Sequence, residues 1–289
     1  MTFTTRFAPS PTGPLHLGHA YSALLAQGLA RRNEGRFLLR IEDIDRSRAR
    51  PEWEAQIFDD LAWLGLCWPE PVLRQSSRMG AYHSALRHLH TLGLVYPCHC
   101  NRADIRAALD APQEGAKLPT GPDGLVYPGT CRLPPDQARA TPMADQAALR
   151  LNIRAALAHL GDPVLSYEET GDSLPSGQIR ISPEMLIHQL GDIILARRDI
   201  GTSYHLSVVL DDAEQQITHV IRGADLSAAT AIHVLLQDLL QLPRPIYHHH
   251  RLIRDAAGKR LAKRDDARAI ATYRAEGASP QDIRSELGL

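Results

Sequence analysis

The sequence predicts an α/β protein built on a doubly wound parallel sheet, and three stretches carry that expectation. Arg6–Ala8 is a short extended segment closed by Pro9. From about Gly18 to Arg32, Tyr21, Leu24, Leu25, Gly28 and Leu29 share one face of a helix, and Gly35 is placed to stop it. RFLLRIEDID, at 36–45, is an apolar run bounded by charges, the pattern of a buried strand. Strand, turn, helix, strand in that order opens a Rossmann-type sheet.

Later elements continue the alternation. A helix is expected after Pro51, with Trp53, Ile57, Leu61 and Leu64 on one face, and another over 79–92. From about Val95 to Pro183 the composition changes. That stretch holds three of the four cysteines and PQEGAKLPTGPDGLVYPGT, too rich in Pro and Gly for regular structure. It reads as an insertion. GDIILARRDIG, SYHLSVVLDD, ITHVIRG and the helical SAATAIHVLLQDLLQL then resume the alternation, and a short strand, a basic loop and a small helical tail follow Pro245. The expected organisation is 1–94 as the first half of a catalytic domain and 95–183 as an inserted subdomain. Residues 184–245 form the second half, and 246–289 a loop with a helical stem.

At 44% hydrophobic and 22% charged residues the composition is that of an ordinary globular protein. No apolar run approaches the roughly 18 residues of a membrane helix, and MTFTTRFAPSPTG has no secretory h-region, so the expected location is the cytoplasm with no membrane partner. A formal net charge of −1 excludes nucleic-acid binding by bulk charge, leaving a local patch such as Arg251, Arg254, Lys259, Arg260, Lys263 and Arg264. On charge alone a solvated face is the favoured reading of that patch. Cys67, Cys98, Cys100 and Cys131 are not expected to form disulfides in a reducing compartment, and Cys67 reads as core.

Two separated motifs carry the chemistry. HLGH, at 16–19, falls where the first strand turns into the first helix, the edge where such sheets bind nucleotides. The free N–H groups of a helix start attract phosphate. Gly18 lets a nucleotide approach the backbone, and His16 and His19 can donate to phosphate oxygens. KRLAKR, at 259–264, supplies a cation, Lys263, for charge developing at the α-phosphate.

HLGH and RLAKR together resemble the signature pair of the class I aminoacyl-tRNA synthetases, with Arg260 and Ala262 departing from the second motif and Lys263 retained. RFAPSPTGPLHLGHA, RIEDIDRSR, TSYHLSVVLDD and THVIRGADL, in this order, resemble the glutamyl branch across most of the chain. The resemblance implies ATP as substrate with Mg²⁺ assisting, and L-glutamate as the activated amino acid. Arg6 and Arg222 would meet its carboxylates and Glu42 its ammonium, with Ser10 and Tyr204 completing the shell. These residue types suit the ligand, because guanidinium pairs with carboxylate in a two-pronged geometry that lysine cannot offer. An Arg6–Glu42 structural ion pair is the competing reading. Val208 stands where the full-length enzymes often place an amide.

Cys98, Cys100 and Cys131 need a fourth partner for tetrahedral zinc, and spacing leaves His99, Tyr127 or water. Short members of the glutamyl branch are similar here, carrying Cys-x-Cys and Tyr-x-x-x-Cys around one structural zinc, which implies Tyr127. His248, His249 and His250 cannot share a metal, since neighbours on a strand face opposite ways. His249 aligns with a histidine common in this branch before the lysine loop, and the resemblance implies that it approaches the nucleotide.

After Arg264 only 25 residues remain, too few for an independent domain. An anticodon-reading module is therefore not expected. The resemblance then implies delivery of glutamate to queuosine in the anticodon loop of tRNA(Asp). The alternatives are a charging enzyme whose anticodon module is another chain, and a tRNA-binding protein without activity. A monomer is expected, since no amphipathic segment is left over.

Overall fold

The apolar periodicities place the elements that hold the site. The computed structural model describes residues 2–109, 119–122, 124–143, 146–254 and 268–289. β1 (Thr4–Phe7) leads into α1 (Leu17–Arg32), which buries Leu17, Ala20, Tyr21 and Leu24. Gly35 follows because its N–H bonds back to Ala30 and because a Cβ there would collide with the Phe3 carbonyl. β2 (Arg36–Ile41) then lies parallel to β1, with Arg6 opposite Leu38.

Pro51 starts α2 (Pro51–Trp63), with Glu52 and Glu54 in its first turn where the helix dipole favours them. Beyond it Leu64 and Leu66 turn inward while Cys67 is exposed. The core expectation for Cys67 is thus overturned: after the turn at Gly65, Leu66 fills the core position and Cys67 faces solvent. β3 (Leu73–Arg74) adds parallel to β2, and α3 (Met79–Thr91) buries Tyr82, Leu86 and Leu89. Each such side chain contributes about 1.5–3 kcal/mol on burial.

The middle of the chain holds β4 (Val95–Cys98), α4 (Arg102–Leu109), the minimal antiparallel pair β5 (Thr120–Gly121) and β6 (Gly124–Leu125), α5 (Pro135–Ala140), β7 (Ala148–Leu151) and α6 (Ile153–His159). Next come β8 (Leu165–Glu169), β9 (Gly177–Ile181), α7 (Pro183–Met185) and β10 (Ile193–Ala196). Strand pairing crosses position 183 in both directions. β10 pairs antiparallel with β7, and β7 with β4, whereas β8 joins the strands that follow.

Those are β11 (His219–Gly223) and β12 (Ile246–His250), parallel to each other, with α8 (Tyr204–Glu214) before β11 and α9 (Ser227–Leu239) between the two strands in sequence. The order β11–β12–β8–β9 meets β1 through Thr218, whose N–H donates to the Thr4 carbonyl at 2.9 Å. Phe37, Leu39 and Ile41 of β2 bury against α1 and α2, while Leu38 buries against α3 and α8. The parallel strands are thus covered on both faces. α10 (Ile270–Ala275) and α11 (Pro280–Leu287) close the chain, burying Ile270, Ile283 and Leu287 beside α1. Among the described residues no helix is long and apolar enough to cross a membrane.

Candidate active site

His16 caps α1, and the cap sets its chemistry. The Gly18 N–H donates to His16 Nδ1 at 3.1 Å, and the His16 N–H donates to His19 Nδ1 at 3.2 Å. A ring nitrogen that accepts carries no proton, so both imidazoles hold theirs on Nε2. The two rings lie 3.8 Å apart at the helix start, presenting donors where phosphate is favoured. A Cβ on Gly18 would sit 2.9 Å from His16 Cε1, so the missing side chain makes room for the His16 ring itself. Lys259, Arg260, Lys263 and Arg264 lie outside the described residues. Arg251 is structural, donating to the Leu287 carbonyl at 2.7 Å.

The carboxyl ends of β1, β2 and β11 deliver the remaining candidates. The Glu42 N–H donates to the Pro9 carbonyl, which sets Glu42 beside Ser10. Arg6 does not pair with Glu42. Its Nε and Nη2 grip Asp212 of α8 at 2.9 and 3.2 Å, and Arg40 Nη1 reaches the same Oδ1 at 2.8 Å. Arg40 Nη2 contacts Glu42 at 3.3 Å. Burial pushes the Glu42 carboxyl above its ordinary range despite Arg40 and Arg6, whereas the two arginines hold Asp212 below its range against burial.

Arg222, 5% exposed, has no carboxylate in contact among the described residues. Nη2 donates to Thr230 Oγ1 at 2.7 Å, Nη1 lies 3.2 Å from His233 Nδ1, and Nε donates to His249 Nε2 at 3.1 Å. A buried guanidinium held only by neutral acceptors is a site for an anion. A cavity of about 1120 Å³ is walled by Ser10, Glu42, Tyr204 and His205 and extends to Tyr127 and Arg150 of the middle segment; Arg222 stands behind that wall, joined to His205 through His233. Val208, buried on α8, contributes only packing.

Cys98, Cys100 and Cys131 converge, with sulfurs within 4.8 Å of one another. The Tyr127 hydroxyl stands 3.4 Å from Cys98 Sγ and 3.6 Å from Cys100 Sγ. Around tetrahedral zinc, with Zn–S about 2.3 Å and Zn–O about 2.0 Å, sulfur and oxygen are about 3.5 Å apart. The donor set therefore fits such an ion. Without a metal, burial raises the Tyr127 phenol, while hydrogen bonds from Tyr127 and the backbone bring Cys131 down to about 7 against burial. The Cys131 N–H donates to the phenol oxygen at 2.7 Å and Arg150 lies 3.9 Å over the ring, both favouring a negative oxygen. His99 is exposed, and its neighbourhood is tied down through carbonyls of 99 and 100 that accept from Arg198.

The catalytic-domain model of the class I tRNA synthetases (E and Q) matches residues 2–289. The chain belongs to that family. A glutamyl-Q tRNA(Asp) synthetase of Rhodobacter capsulatus is 61% identical over 287 residues, covering 99% of both chains. One from Symbiobacterium thermophilum is 40% identical over 98% of this chain and 84% of its own. The crystal structure of a glutamate tRNA ligase from Elizabethkingia meningosepticum, in complex with its amino acid, superposes with TM-score 0.72 at 27% identity. That match covers 97% of this synthetase chain but 59% of the ligase, so the chain spans about three fifths of that relative.

Three groups in the synthetase site are absent from the sequence reading. Asp212 and Arg40 organise Arg6 and Glu42, and Glu169 meets His249. An arginine inside the apolar run RFLLRI was the available signal, since a buried cation demands an acid. His249 is fully buried against Glu169 and Arg222, which corrects the expectation that it approaches the nucleotide. Its neighbours diverge: His248 meets Thr170 and His250 meets Ser22.

Proposed function

We propose that the chain activates L-glutamate with ATP, giving glutamyl-adenylate and pyrophosphate, and transfers the glutamyl group to queuosine in the anticodon loop of tRNA(Asp). The observation that carries the glutamate half is Arg222, a buried cation without an acidic contact among the described residues, set behind the His205 wall of a cavity that Glu42 lines. Glutamate brings what this arrangement needs, a carboxylate for Arg222 and an ammonium for Glu42. Arg6, whose fork is occupied by Asp212, keeps Nη1 for the second carboxylate. Ser10 and Tyr204 add hydroxyls. The near end-to-end match to a glutamyl-Q tRNA(Asp) synthetase supports the delivery half.

In this reading an α-carboxylate oxygen attacks the α-phosphorus and pyrophosphate leaves. His16 and His19 donate from Nε2 to phosphate oxygens over the α1 start, and Lys263 neutralises the developing charge. Catalysis is positioning plus electrostatics, with no covalent enzyme intermediate. Exposed Arg48, Arg102 and Arg106 on the cavity wall offer cations to RNA phosphates despite the near-neutral chain. Zinc held by Cys98, Cys100, Cys131 and Tyr127 would tie β4 to the irregular segment at Tyr127–Cys131. The working unit is a monomer in the cytoplasm.

Glutamate-dependent exchange of pyrophosphate into ATP, without tRNA, tests the activation step. Arg222→Gln should raise the glutamate KM at least about 30-fold while the ATP KM stays within about twofold, since one charge-assisted pair is lost. Absence of exchange in the unaltered protein would defeat the reading.

A further inference from the structure

Arg222 is the middle of a buried polar chain that runs across three strands. It faces His249 in the β11–β12 register, and Tyr247 of β12 faces Glu169 of β8. Glu169 Oε1 accepts the backbone N–H of Gly171 at 2.7 Å and that of His249 at 2.9 Å. Its other oxygen meets His249 Nδ1. Gly171 has no substitute here, since a Cβ would collide with the His249 backbone. Glu169 and His249 are each about 1% exposed or less.

The proton positions follow from the donors. Arg222 Nε must donate, so His249 Nε2 accepts and Nδ1–H points at Glu169. On the far side Arg222 Nη1 donates to His233 Nδ1, leaving Nε2–H to face His205 Nδ1 at 3.2 Å, and His205 lines the cavity. Burial and Arg222 pull His249 down to about 4 and hold His233 low, which keeps both rings neutral near pH 7.

We propose that Glu169 is a positioning residue for substrate recognition: acting through the His249 tautomer, it orients the Arg222 guanidinium, which stands behind the His205 wall of the cavity, to receive the substrate carboxylate. This rests on the assignment of Arg222 to glutamate. Glu169 touches no substrate. Its oxygen fixes the proton on Nδ1, the bare Nε2 fixes Arg222 Nε, and the Arg222 plane fixes the two Nη donors.

Glu169→Gln tests this with one atom exchanged. The two backbone N–H donors keep an oxygen at the Oε1 position, so the new NH₂ faces His249 Nδ1. The imidazole proton must then move to Nε2, where it meets the Arg222 Nε–H, donor against donor. Loss of the Glu169 charge alone would strengthen anion binding and lower the glutamate KM. Misaiming raises it, by at least about tenfold, the scale of outer hydrogen-bond partners at other sites, with the ATP KM and kcat within about twofold. A glutamate KM unchanged or lowered overturns the proposal. Arg222→Gln measured alongside separates the two claims. If it raises the glutamate KM and Glu169→Gln does not, the aiming role falls and the glutamate assignment stands; if it does not, the assignment itself falls. Should Glu169→Gln not fold, ¹⁵N spectra of histidine in the unaltered protein decide, a proton on Nδ1 of His249 being expected and one on Nε2 overturning the proposal.

Discussion

Arg6 holds Asp212 with both arms, and Arg40 reaches the same carboxylate oxygen from the next strand. All three side chains are almost wholly buried, so neither arginine has water to fall back on. Asp212→Asn keeps the shape and removes the charge. Urea denaturation at pH 7 should show a loss of about 3–5 kcal/mol, the scale of an uncompensated buried ion. Because the folded-state pKa of Asp212 is depressed, its contribution is present above the ordinary carboxylate range and is lost as pH falls through the folded value. The gap between variant and parent should therefore narrow in acid.

Gly18→Ala separates helix stability from site geometry. Alanine suits a helix better than glycine by about 1 kcal/mol, which offsets loss of the His16 cap at about 0.5–2 kcal/mol, so the melting temperature should change little. The added Cβ, 2.9 Å from the His16 ring, forces that ring out of its cap. Pyrophosphate exchange should fall at least about tenfold, the range of a misplaced transition-state donor. Full exchange would remove His16 from the reaction.

Tyr127→Phe bears on the cysteine cluster. Removing the oxygen 3.4–3.6 Å from two sulfurs should leave a three-sulfur set and weaken zinc retention by at least about tenfold, read as metal per chain after dialysis against chelator. His99→Ala should leave metal content unchanged. The opposite pattern would make His99 the fourth donor.

Asp60 of α2 is 1% exposed, with both oxygens lacking hydrogen-bond partners among the described residues. Burial, with Asp59 adding to it, pushes its carboxyl up to about 6. A raised acid favours the protonated folded state, so stability is lost as pH climbs from about 4 through 6. Asp60→Asn should be more stable than its parent by about 1–2 kcal/mol at pH 8 and should lose that advantage at pH 4.5. Thermal melts across that range would show it, and parallel pH curves would refute it.

What was legible in the sequence was local. The spacing of Trp53, Ile57 and Leu61, and the run after Gly35, encode α2 and β2 because helix and strand periods act between near neighbours. Three thiols from one segment do meet, although α4 and the β5–β6 pair lie between Cys100 and Cys131. Pairings between distant strands were not legible. LSYEE belongs with IYHHH, some 80 residues on, and nothing in either stretch names the other. Nothing local therefore marks Glu169 as the partner of His249. By type Arg6 is expected to meet a substrate carboxylate, and the carboxylate in contact with it is the protein's own Asp212.

The destination of the activated glutamate is the central claim, and one transfer assay reads it directly. Labelled L-glutamate, ATP and the protein are incubated with tRNA(Asp) carrying queuosine and with tRNA(Asp) lacking it, and the label is located after cleavage into anticodon-arm and acceptor fragments. The account predicts label on the anticodon-arm fragment of the queuosine-bearing tRNA alone. Label at the 3′ end, with or without queuosine, would contradict it.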